Sequence, residues 1–398
     1  MKTLFISYNS ALEPLIQSQG IPYLKGLSDK GIKCFLLSFE KQTEGIGKLE
    51  KELECYGIKW YRLRYHKRPT LPATLFDIAS GILAGLRIIV SKNIDIVHSR
   101  ATVPAVMGYI IARLTGKKFI FDIRGLMAEE YVDGNLWKRE SFLYKTTLWI
   151  EKKLINKADH LIVLTENIKE FLLNSNKKKY NITVIPCCVD IKRFNKESDL
   201  TGVLKDRYKL SGKFVFLYIG SVGTWYLLEE MMDFFIASRN IINKAHFLIL
   251  THVDKNMVID ICRRKNISHD DITVDSAGFD DMPFYIKLAD AGIFFIKPCF
   301  SKRSSCPTKF AEYLSCGLPL VINAGIGDTD KIVRDHNLGV VIDSFNKESY
   351  LSGTYQLLEL LKEKKLISDR CRKVAEEKFS LDIGVSEYFN VYRSLICS

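Results

Sequence analysis

The chain has 398 residues, a length that favours two domains over one. Hydrophobic residues make up 47% of the chain and charged residues 26%, as in a soluble globular protein, and apolar runs such as 247–250 and 291–296 are too short to cross a bilayer. The formal net charge of +12 indicates an anionic partner, but it does not choose among nucleic acid, an anionic membrane surface and a phosphorylated small substrate.

The first half of the sequence alternates short apolar runs with amphipathic segments. The apolar runs predict strands at 3–8, 33–39, 58–65, 94–98, 118–122, 160–165 and 182–185. The amphipathic segments predict helices at 22–30, 73–91, 104–115 and 143–157. This alternation is typical of a parallel sheet that is covered by helices on both faces.

The same alternation starts again after residue 194. It predicts strands at 214–219, 246–251, 272–274, 292–296 and 319–323, with helices at 227–241 and 257–265. The polar stretch 192–210 lacks an apolar period, so we place the interdomain linker there. Two doubly wound α/β domains are therefore expected, with the active site in the cleft beyond the carboxyl ends of their strands.

The most informative stretch is 295–330, which reads as a strand, a basic loop, a helix, a Gly-Leu-Pro turn, a second strand and a Gly-rich loop. The loop and the first helical turn offer cations and hydroxyls at Lys302, Arg303, Ser304, Ser305, Thr308 and Lys309. Backbone N–H groups at a helix N-terminus beside cations form a site for phosphate. Glu312, one turn after Lys309, is placed to accept hydrogen bonds from a ribose diol. The pattern predicts a nucleotide-sugar site; the alternative is a solvated basic loop with a surface glutamate.

Cations and aromatic residues alternate in the run 59–68, KWYRLRYHKR, and the mostly apolar segment 71–90 follows it. This combination fits peripheral binding to an anionic membrane surface. RNA stacking would need the same residue types, and a solvated face is the plainer alternative. Because no zinc-finger, RRM-like or basic-zipper pattern occurs, we expect no nucleic-acid partner.

The ten cysteines form no CxxC or CxxH pair, so we expect no structural zinc. The first residues lead straight into a strand-like run, without the pattern of a secretory leader. We therefore expect reduced thiols and a cytoplasmic protein, with contact at the inner face of the plasma membrane.

A series of motifs runs in a fixed order along nearly the whole chain: EPLIQSQGIPYLKGLSDKG, DIVHSR, FDIRGLMAEEYVDGNLW, ADHLIVLTE, VIPCCVDIKRF, GSVGTWY and SKRSSCPTKFAEYLSCGLPLVINAGIGD. Through them the chain resembles glycosyltransferase family 4, of the bacterial and archaeal type that builds surface polysaccharides. The resemblance implies the GT-B fold, in which two Rossmann-like doubly wound domains face each other across a cleft. It implies an acceptor-binding domain at 1–194, a nucleotide-sugar-binding domain at 195–375 and a helix at 376–398 that crosses back to the first domain.

The resemblance also implies the reaction. A retaining transferase would move a sugar from a nucleotide sugar, a UDP- or GDP-sugar, to a hydroxyl of a lipid-linked or surface glycan, with no metal and no separate cofactor. Stabilisation of the leaving diphosphate would then depend on Lys, Arg and helix N-termini. The acceptor hydroxyl would attack from the same face, and its proton would pass to the departing phosphate.

In this family a pair of glutamates separated by seven residues holds the donor. Glu312 matches the second glutamate and is assigned to the ribose hydroxyls, whereas the first falls at Ser304, a departure that bears on the sugar contact. The resemblance assigns Lys302 and Lys309 to the diphosphate as catalytic residues. The further donor-binding groups are the hydroxyls of Ser305 and Thr308.

The motif GSVGTWY follows the predicted strand 214–219, where related enzymes often carry an Arg and a Lys for the diphosphate, but this loop has neither. Gly220 and Gly223 permit close backbone approach, and Ser221 and Thr224 can donate hydrogen bonds to phosphate. Gly20, in the loop after the first strand, is another expected donor contact. The alternative for GSVGTWY is a plain strand-to-helix turn.

Asp122 and Arg124 stand at the carboxyl end of the predicted strand 118–122. Many family members carry a His near the first position, so we predict that Asp122 and Arg124 are catalytic residues. Asp122 would accept a hydrogen bond from a sugar hydroxyl or assist the acceptor, and Arg124 would contact phosphate. The alternative is an Asp–Arg salt bridge that caps the next helix. The predicted acceptor-binding residues are His98, Arg100 and Glu129, although a lone His is more often structural.

Three other functions fit parts of the pattern. A nucleotide-sugar epimerase of the same fold would turn over its donor without an acceptor. A non-catalytic nucleotide-sugar-binding homologue is favoured by Ser304 and by the missing cations after Gly220. A nucleic-acid-binding protein is suggested by charge alone and would show salt-dependent binding.

Overall fold

The computed structural model describes residues 1–175, 180–194 and 200–397, and the chain divides into two compact units. The first unit comprises Met1–Cys188 with Leu381–Ser398, and the second comprises Val189–Ser380. The units therefore divide after Cys188 and again after Ser380, whereas the sequence placed these boundaries after 194 and 375. Each unit has its own parallel sheet, as predicted.

The seven-stranded sheet of the first unit is built from short, mostly buried strands in the order β3-β2-β1-β4-β5-β6-β7. The strands are β1 (Lys2–Ser7), β2 (Lys33–Glu40), β3 (Lys59–Arg64), β4 (Ile96–Arg100), β5 (Lys118–Asp122), β6 (His160–Val163) and β7 (Ile182–Val184). All neighbouring strands pair in parallel, so their carboxyl ends share one edge of the sheet.

Helices cover this sheet, and the last helix of the chain belongs to the same unit. They are α1 (Pro14–Gln19), α2 (Ile21–Asp29), α3 (Ile46–Cys55), α4 (Thr70–Lys92), α5 (Thr102–Thr115), α6 (Met127–Asp133), α7 (Phe142–Lys157), α8 (Glu166–Asn174) and α18 (Leu381–Cys397). Ser141 and Thr165 cap α7 and α8 by accepting hydrogen bonds from backbone N–H groups. Tyr388 and Tyr392 of α18 are buried in the core of this unit.

The second unit begins where the sequence predicted a linker, and for the described residues that prediction is wrong. Its first elements are α9 (Ile191–Phe194) and α10 (Leu200–Arg207), while 195–199 lie outside the described residues. Phe194, Leu204 and Leu210 are buried in the core of the second unit. These three buried apolar residues hold the stretch against the second unit. They are too widely spaced to produce a helical period of apolar residues, so the sequence pattern did not indicate them.

The remaining strands of the second unit form a six-stranded sheet in the order β10-β9-β8-β11-β12-β13. They are β8 (Phe214–Ile219), β9 (Ala245–Leu250), β10 (Ile272–Asp275), β11 (Ala291–Phe294), β12 (Leu320–Asn323) and β13 (Gly339–Ile342). The flanking helices are α11 (Leu228–Arg239), α12 (Lys255–Arg264), α13 (Met282–Ile286), α14 (Thr308–Ser315), α15 (Thr329–His336), α16 (Lys347–Leu361) and α17 (Lys364–Phe379), with 3-10 turns at His269–Asp271 and Phe300–Ser304.

One described helix is long and apolar enough to cross a membrane by length and composition. This is α4, with 23 residues and a mean hydropathy of 1.8 in its most apolar window. The core helix of a globular domain passes the same test.

Candidate functional site

Two loops meet at the carboxyl edge of the second sheet. The carbonyl oxygen of Trp225, in the segment after β8, accepts a hydrogen bond of 2.8 Å from the backbone N–H of Lys297, in the segment after β11. Because β8 and β11 are neighbouring parallel strands, both segments leave the same edge. The pairing brings the glycine loop that starts at Gly220 beside the loop and helix that carry Lys309.

Lys309, in the first turn of α14, is buried at 5% exposure and lies among aromatic rings. Its Nζ is 3.7 Å from the centroid of the Tyr226 ring and 4.5 Å from that of Tyr218. A Cβ at position 220 would lie 2.6 Å from this Nζ, and Gly220 has φ 141°, a backbone conformation that favours glycine. The glycine loop thus opens a place for a cation that comes from another element.

The ammonium of Lys309 is unpaired. Within the described ranges, its Nζ has no hydrogen-bond partner. Burial lowers the pKa of Lys309 to about 7, and the attraction of the Glu312 carboxylate only partly opposes that shift. A buried cation without a partner is costly, so this position is suited to an incoming anion.

The N-terminus of α14 adds to the same anion site. Pro307 occupies the N-cap position, and no side chain of the described residues caps this eight-residue helix. The N–H groups of its first turn therefore keep hydrogen-bonding capacity at the positive end of the helix dipole. Ser305 and Thr308, both partly exposed, place hydroxyls beside them.

Lys302 and Ser304 belong to the 3-10 turn before α14. The Nζ of Lys302 lies 3.8 Å from the centroid of the Trp225 ring, and the Lys302 carbonyl accepts a hydrogen bond of 2.9 Å from the backbone of Gly327. Ser304 is buried, and its hydroxyl donates to the Ser301 carbonyl at 2.7 Å. Ser304 therefore turns into the fold and does not act as a polar substitute for the family's first glutamate.

Glu312 is partly exposed and lies in the field of Arg193 and Lys309. Burial raises the pKa of Glu312, while the positive charges of Arg193 and Lys309 oppose the shift. Arg193, from α9, donates to the Phe279 carbonyl, and its guanidinium lies 3.6 Å from the centroid of the Phe279 ring. Arg193 was not predicted as a site residue, although it stands in the motif VIPCCVDIKRF.

The other predicted donor contacts differ in their surroundings. Ser221 and Thr224 are exposed in the glycine loop, and Gly223 has φ 109°. Gly20, in contrast, is buried at the junction of α1 and α2, where a Cβ would lie 3.0 Å from the Ile16 side chain. Helix packing alone accounts for glycine at that position.

A second cluster of charges lies in the first unit, where β4 and β5 end. Their register pairs Arg100 with Asp122. The fully buried Asp122 carboxylate lies 3.2 Å from Arg124 Nε, 3.8 Å from Arg100 Nη1 and 3.4 Å from His98 Nε2. The predicted residues at these two strand ends are thus brought together by the sheet.

These contacts set the ionisation of the cluster. Burial raises the pKa of Asp122, but Arg124, His98 and Arg100 together outweigh burial and hold that pKa below its usual range. Burial lowers the pKa of His98 despite its hydrogen bond to Asp122. At neutral pH the cluster therefore contains a carboxylate, two guanidinium groups and a neutral imidazole.

Two tyrosines of α18 also contact this cluster, and neither was predicted as a site residue. The Tyr388 hydroxyl donates to Asp122 Oδ2 at 3.0 Å and accepts from Arg124 Nη2 at 3.2 Å. The Tyr392 hydroxyl lies 2.6 Å from His98 Nδ1. The four-residue spacing of the tyrosines, which places them on one helix face, was the available signal.

Glu129, a predicted acceptor residue in α6, has structural partners. Glu129 is buried, accepts from the Tyr144 hydroxyl at 2.7 Å and forms an ion pair of 2.9 Å with Arg139.

The alternative of an Asp–Arg salt bridge is confirmed by the 3.2 Å distance between Arg124 Nε and Asp122 Oδ1. Its capping role is wrong, because the Met127 N–H at the start of α6 donates to Glu151 Oε1 at 2.9 Å. Across 1–175, 180–194 and 200–397, no group of three His, Cys, Asp or Glu residues could hold a metal ion.

The chain is similar to known glycosyltransferases. Residues 23–193 match the family model described as Glycosyltransferase Family 4, and residues 301–351 match one described as Glucosyltransferase 3-like, C-terminal domain. The second match contains Lys302, Lys309 and Glu312. An uncharacterised glycosyltransferase of Methanocaldococcus jannaschii is 20% identical over 309 residues, which cover 76% of each protein.

Solved structures share the fold over nearly the whole chain. A glycosyltransferase from Rickettsia africae superimposes with a TM-score of 0.76 at 16% identity, covering 99% of this chain and 98% of that one. Anabaena HepE in complex with UDP-glucose gives a TM-score of 0.70 at 12% identity, covering 99% of this chain and 100% of that one. These likenesses confirm the predicted two-domain α/β GT-B fold.

Proposed function

We propose that this chain, a glycosyltransferase of the family 4 type with a GT-B fold, transfers a sugar from a nucleotide sugar to a hydroxyl acceptor with retention of configuration and without a metal. The observation that carries the proposal is the unpaired, buried ammonium of Lys309, held beside Gly220 and the N-terminus of α14. A diphosphate placed there would meet a cation and backbone donors together.

The donor contacts extend from that point. We assign Lys309 and Lys302 to the diphosphate. The hydroxyls of Ser305, Thr308, Ser221 and Thr224 are assigned as further hydrogen-bond donors to it. Glu312, partly exposed near two cations, is assigned to the ribose hydroxyls, and the backbone of Gly220 and Gly223 to close approach of the donor. UDP-glucose complexes of the Anabaena protein support a nucleotide sugar as the ligand class, and a UDP- or GDP-sugar is proposed here.

The resemblance to glycosyltransferase family 4 supplies the proposed chemical step. The bond between the sugar and the diphosphate weakens as Lys309 and Lys302 stabilise the leaving charge. The acceptor hydroxyl then attacks the same face of the sugar, and its proton passes to the departing phosphate. Because Ser304 is turned into the fold, the sugar hydroxyls have to be held by groups other than a carboxylate at this position.

We assign the acceptor to the first unit, with Asp122 and Arg124 as its central pair. Asp122 fixes Arg100 and Arg124, and these cations are suited to a phosphate on the acceptor, as a lipid-linked glycan would carry. His98 and Arg100 line the same strand ends. Glu129 is assigned an acceptor role through Arg139, whose half-exposed side chain it holds. The proposed location is the cytoplasmic face of a membrane.

The test is a thermal-shift screen of the purified chain with UDP-, GDP-, ADP- and CMP-sugars, followed by calorimetry with Glu312→Ala and Lys309→Met. One nucleotide class should stabilise the wild type, and each variant should weaken its binding by about tenfold or more. Lys331→Met, a matched change at an exposed lysine of α15, should bind as the wild type does. Absence of stabilisation by any nucleotide sugar would contradict the proposal.

Product analysis separates the transferase from an epimerase. A transferase leaves the sugar of its nucleotide donor unchanged until an acceptor is present, apart from slow hydrolysis. Conversion of the donor to an isomeric nucleotide sugar without an acceptor would establish the epimerase instead.

A further inference from the structure

Helix α4 packs onto the first unit through its small residues. The buried positions on this helix are Ala73, Asp77, Gly81, Gly85, Ile88 and Ile89. A Cβ on Gly81 would lie 2.6 Å from Met107 Sδ, and one on Gly85 would lie 2.4 Å from the Ile111 side chain, both on α5. The two glycines therefore let α4 approach α5 closely.

Five large apolar side chains of α4 lie on its outer face and are exposed to solvent. This outer face consists of Leu71, Leu75, Phe76, Leu83 and Val90, which are 55%, 57%, 59%, 58% and 80% exposed. Phe76, Leu83 and Val90 are seven residues apart, so they form a row of about 21 Å along the helix. An ordinary surface helix places polar residues on this side. A continuous apolar row on the outside marks an interaction surface.

The charges around the outer face are positive. Exposed cations occur before the helix and within it, at Arg64, Lys67, Arg68 and Arg87. The one acidic residue in 64–92 is Asp77, which is buried and bonded to the Tyr8 hydroxyl at 2.9 Å and to His66 Nδ1 at 2.6 Å. The exposed surface of this segment therefore combines large apolar groups with cations and has no compensating carboxylate of its own.

The neighbouring helices α5 and α7 also expose cations beside large apolar side chains. α5 packs against both α4 and α7. Near its end it exposes Arg113 and Leu114, and α7 exposes Trp149 with Lys153 Nζ 5.0 Å from the ring centroid. Cations beside aromatic and aliphatic groups are the residue types that bind the headgroup region of a bilayer.

We propose that the outer face of α4 lies on the surface of an anionic lipid membrane, with the helix axis parallel to the bilayer. Anionic headgroups attract the surrounding cations, whereas a second copy of this positive face would be repelled. Insertion across the bilayer would expose Gly81 and Gly85 to lipid and break the Asp77 contacts. The inference deepens the membrane location in the proposed function, but it does not depend on sugar transfer.

Vesicle co-sedimentation of the full chain tests this surface. The wild type should bind vesicles of phosphatidylcholine mixed with phosphatidylserine, more weakly at higher salt, and should not bind phosphatidylcholine alone. Phe76→Gln combined with Leu83→Gln should reduce binding about tenfold or more. The control is Val203→Gln combined with Tyr355→Gln, at residues that are both 61% exposed in the second unit, and it should bind as the wild type does.

Two further readouts keep the result unambiguous. Thermal unfolding and stabilisation by the nucleotide sugar should be unchanged in the α4 variant, so that a failure of the donor proposal is recognised separately. Equal vesicle binding by the α4 variant and the wild type would overturn the inference. So would a wild-type dimer in analytical ultracentrifugation that the α4 variant dissociates, because the occupant of the face would then be a second copy.

Discussion

The two units each contain buried charges at the carboxyl edge of a parallel sheet, but they treat those charges differently. In the first unit, Asp122 lies within 3.8 Å of nitrogen atoms of Arg124, Arg100 and His98, and Tyr388 bridges two members of the group. In the second unit, the Lys309 ammonium is without a hydrogen-bond partner among the described residues and faces only aromatic rings at close range.

The difference indicates what each cluster does before a ligand arrives. In a buried ion pair each charge compensates the other, and removing one partner leaves an uncompensated charge. A buried cation without a partner destabilises the fold and is tolerated where a ligand completes it. The charges of the first cluster are therefore compensated by ion pairs in the unliganded chain, although Asp122 Oδ1 and several guanidinium nitrogens of Arg100 and Arg124 have no hydrogen-bond partner among the described residues. The Lys309 ammonium has no hydrogen-bond partner at all in the described part of the chain and is completed when an anion binds.

The largest expected effect comes from breaking the charge-compensated cluster. Asp122→Asn leaves Arg100 and Arg124 buried without a carboxylate, so the free energy of unfolding of the first unit should fall by about 3–5 kcal/mol. Denaturant unfolding measures the change, and Asp29→Asn on the exposed side of α2 is the control. A loss no larger than that of the control would show that Asp122 is dispensable to the cluster.

Removing the unpaired cation should act in the opposite direction. Lys309→Met keeps a side chain of similar length and deletes a buried charge, so stability should stay the same or rise by about 1–4 kcal/mol at neutral pH. Donor binding should fall by about tenfold or more. Unfolding and calorimetry on one preparation measure both quantities. A clear loss of stability would mean that Lys309 has a structural partner.

The affinity for the donor should depend on pH through Lys309. Its pKa is lowered to about 7, and a bound diphosphate raises it. The Kd for UDP-glucose should be flat below that pKa and rise by up to about tenfold per pH unit above it. Both phosphates of UDP-glucose are diesters and do not titrate in this range. The profile of Lys309→Met should be flat, and a flat profile in the wild type would exclude Lys309 as the titrating group.

The smallest effect is expected at the tyrosine that closes the first cluster. Tyr388→Phe removes the hydrogen bond to Asp122 and an acceptor for Arg124, at a cost of about 1–2 kcal/mol in unfolding free energy. Tyr355→Phe, on the exposed side of α16, serves as the control. If both variants unfold at the same denaturant concentration, α18 does not stabilise the cluster through this hydroxyl.

The sequence predicted the parts of both clusters that follow from strand ends and helix starts. Alternating apolar runs placed His98 and Asp122 at neighbouring carboxyl ends, and the basic loop placed Lys309 in the first turn of a helix. It did not predict which groups close each cluster, because those contacts join residues that are distant in the chain. Tyr388 reaches Asp122 across 266 residues, and Tyr218 is likewise remote from Lys309.

Other assignments depended on side-chain direction, which a motif does not fix. Glu129 was predicted to bind an acceptor, yet its carboxylate is held by Tyr144 and Arg139. The glycine loop lacks the cations of related enzymes, but Lys309 approaches Gly220 from α14 instead. The composition of a loop therefore did not reveal the charge that the fold places beside it.

The central claim is that Lys309 receives the diphosphate of the donor, and proton uptake on binding tests it most directly. Calorimetric titration of UDP-glucose, or of the nucleotide sugar chosen by the screen, is run about one pH unit above the Lys309 pKa in two buffers of different ionisation enthalpy. We expect the wild type to take up nearly one proton per donor bound, and Lys309→Met to bind weakly with no uptake. Tight binding by Lys309→Met, or wild-type binding without proton uptake, would contradict the account.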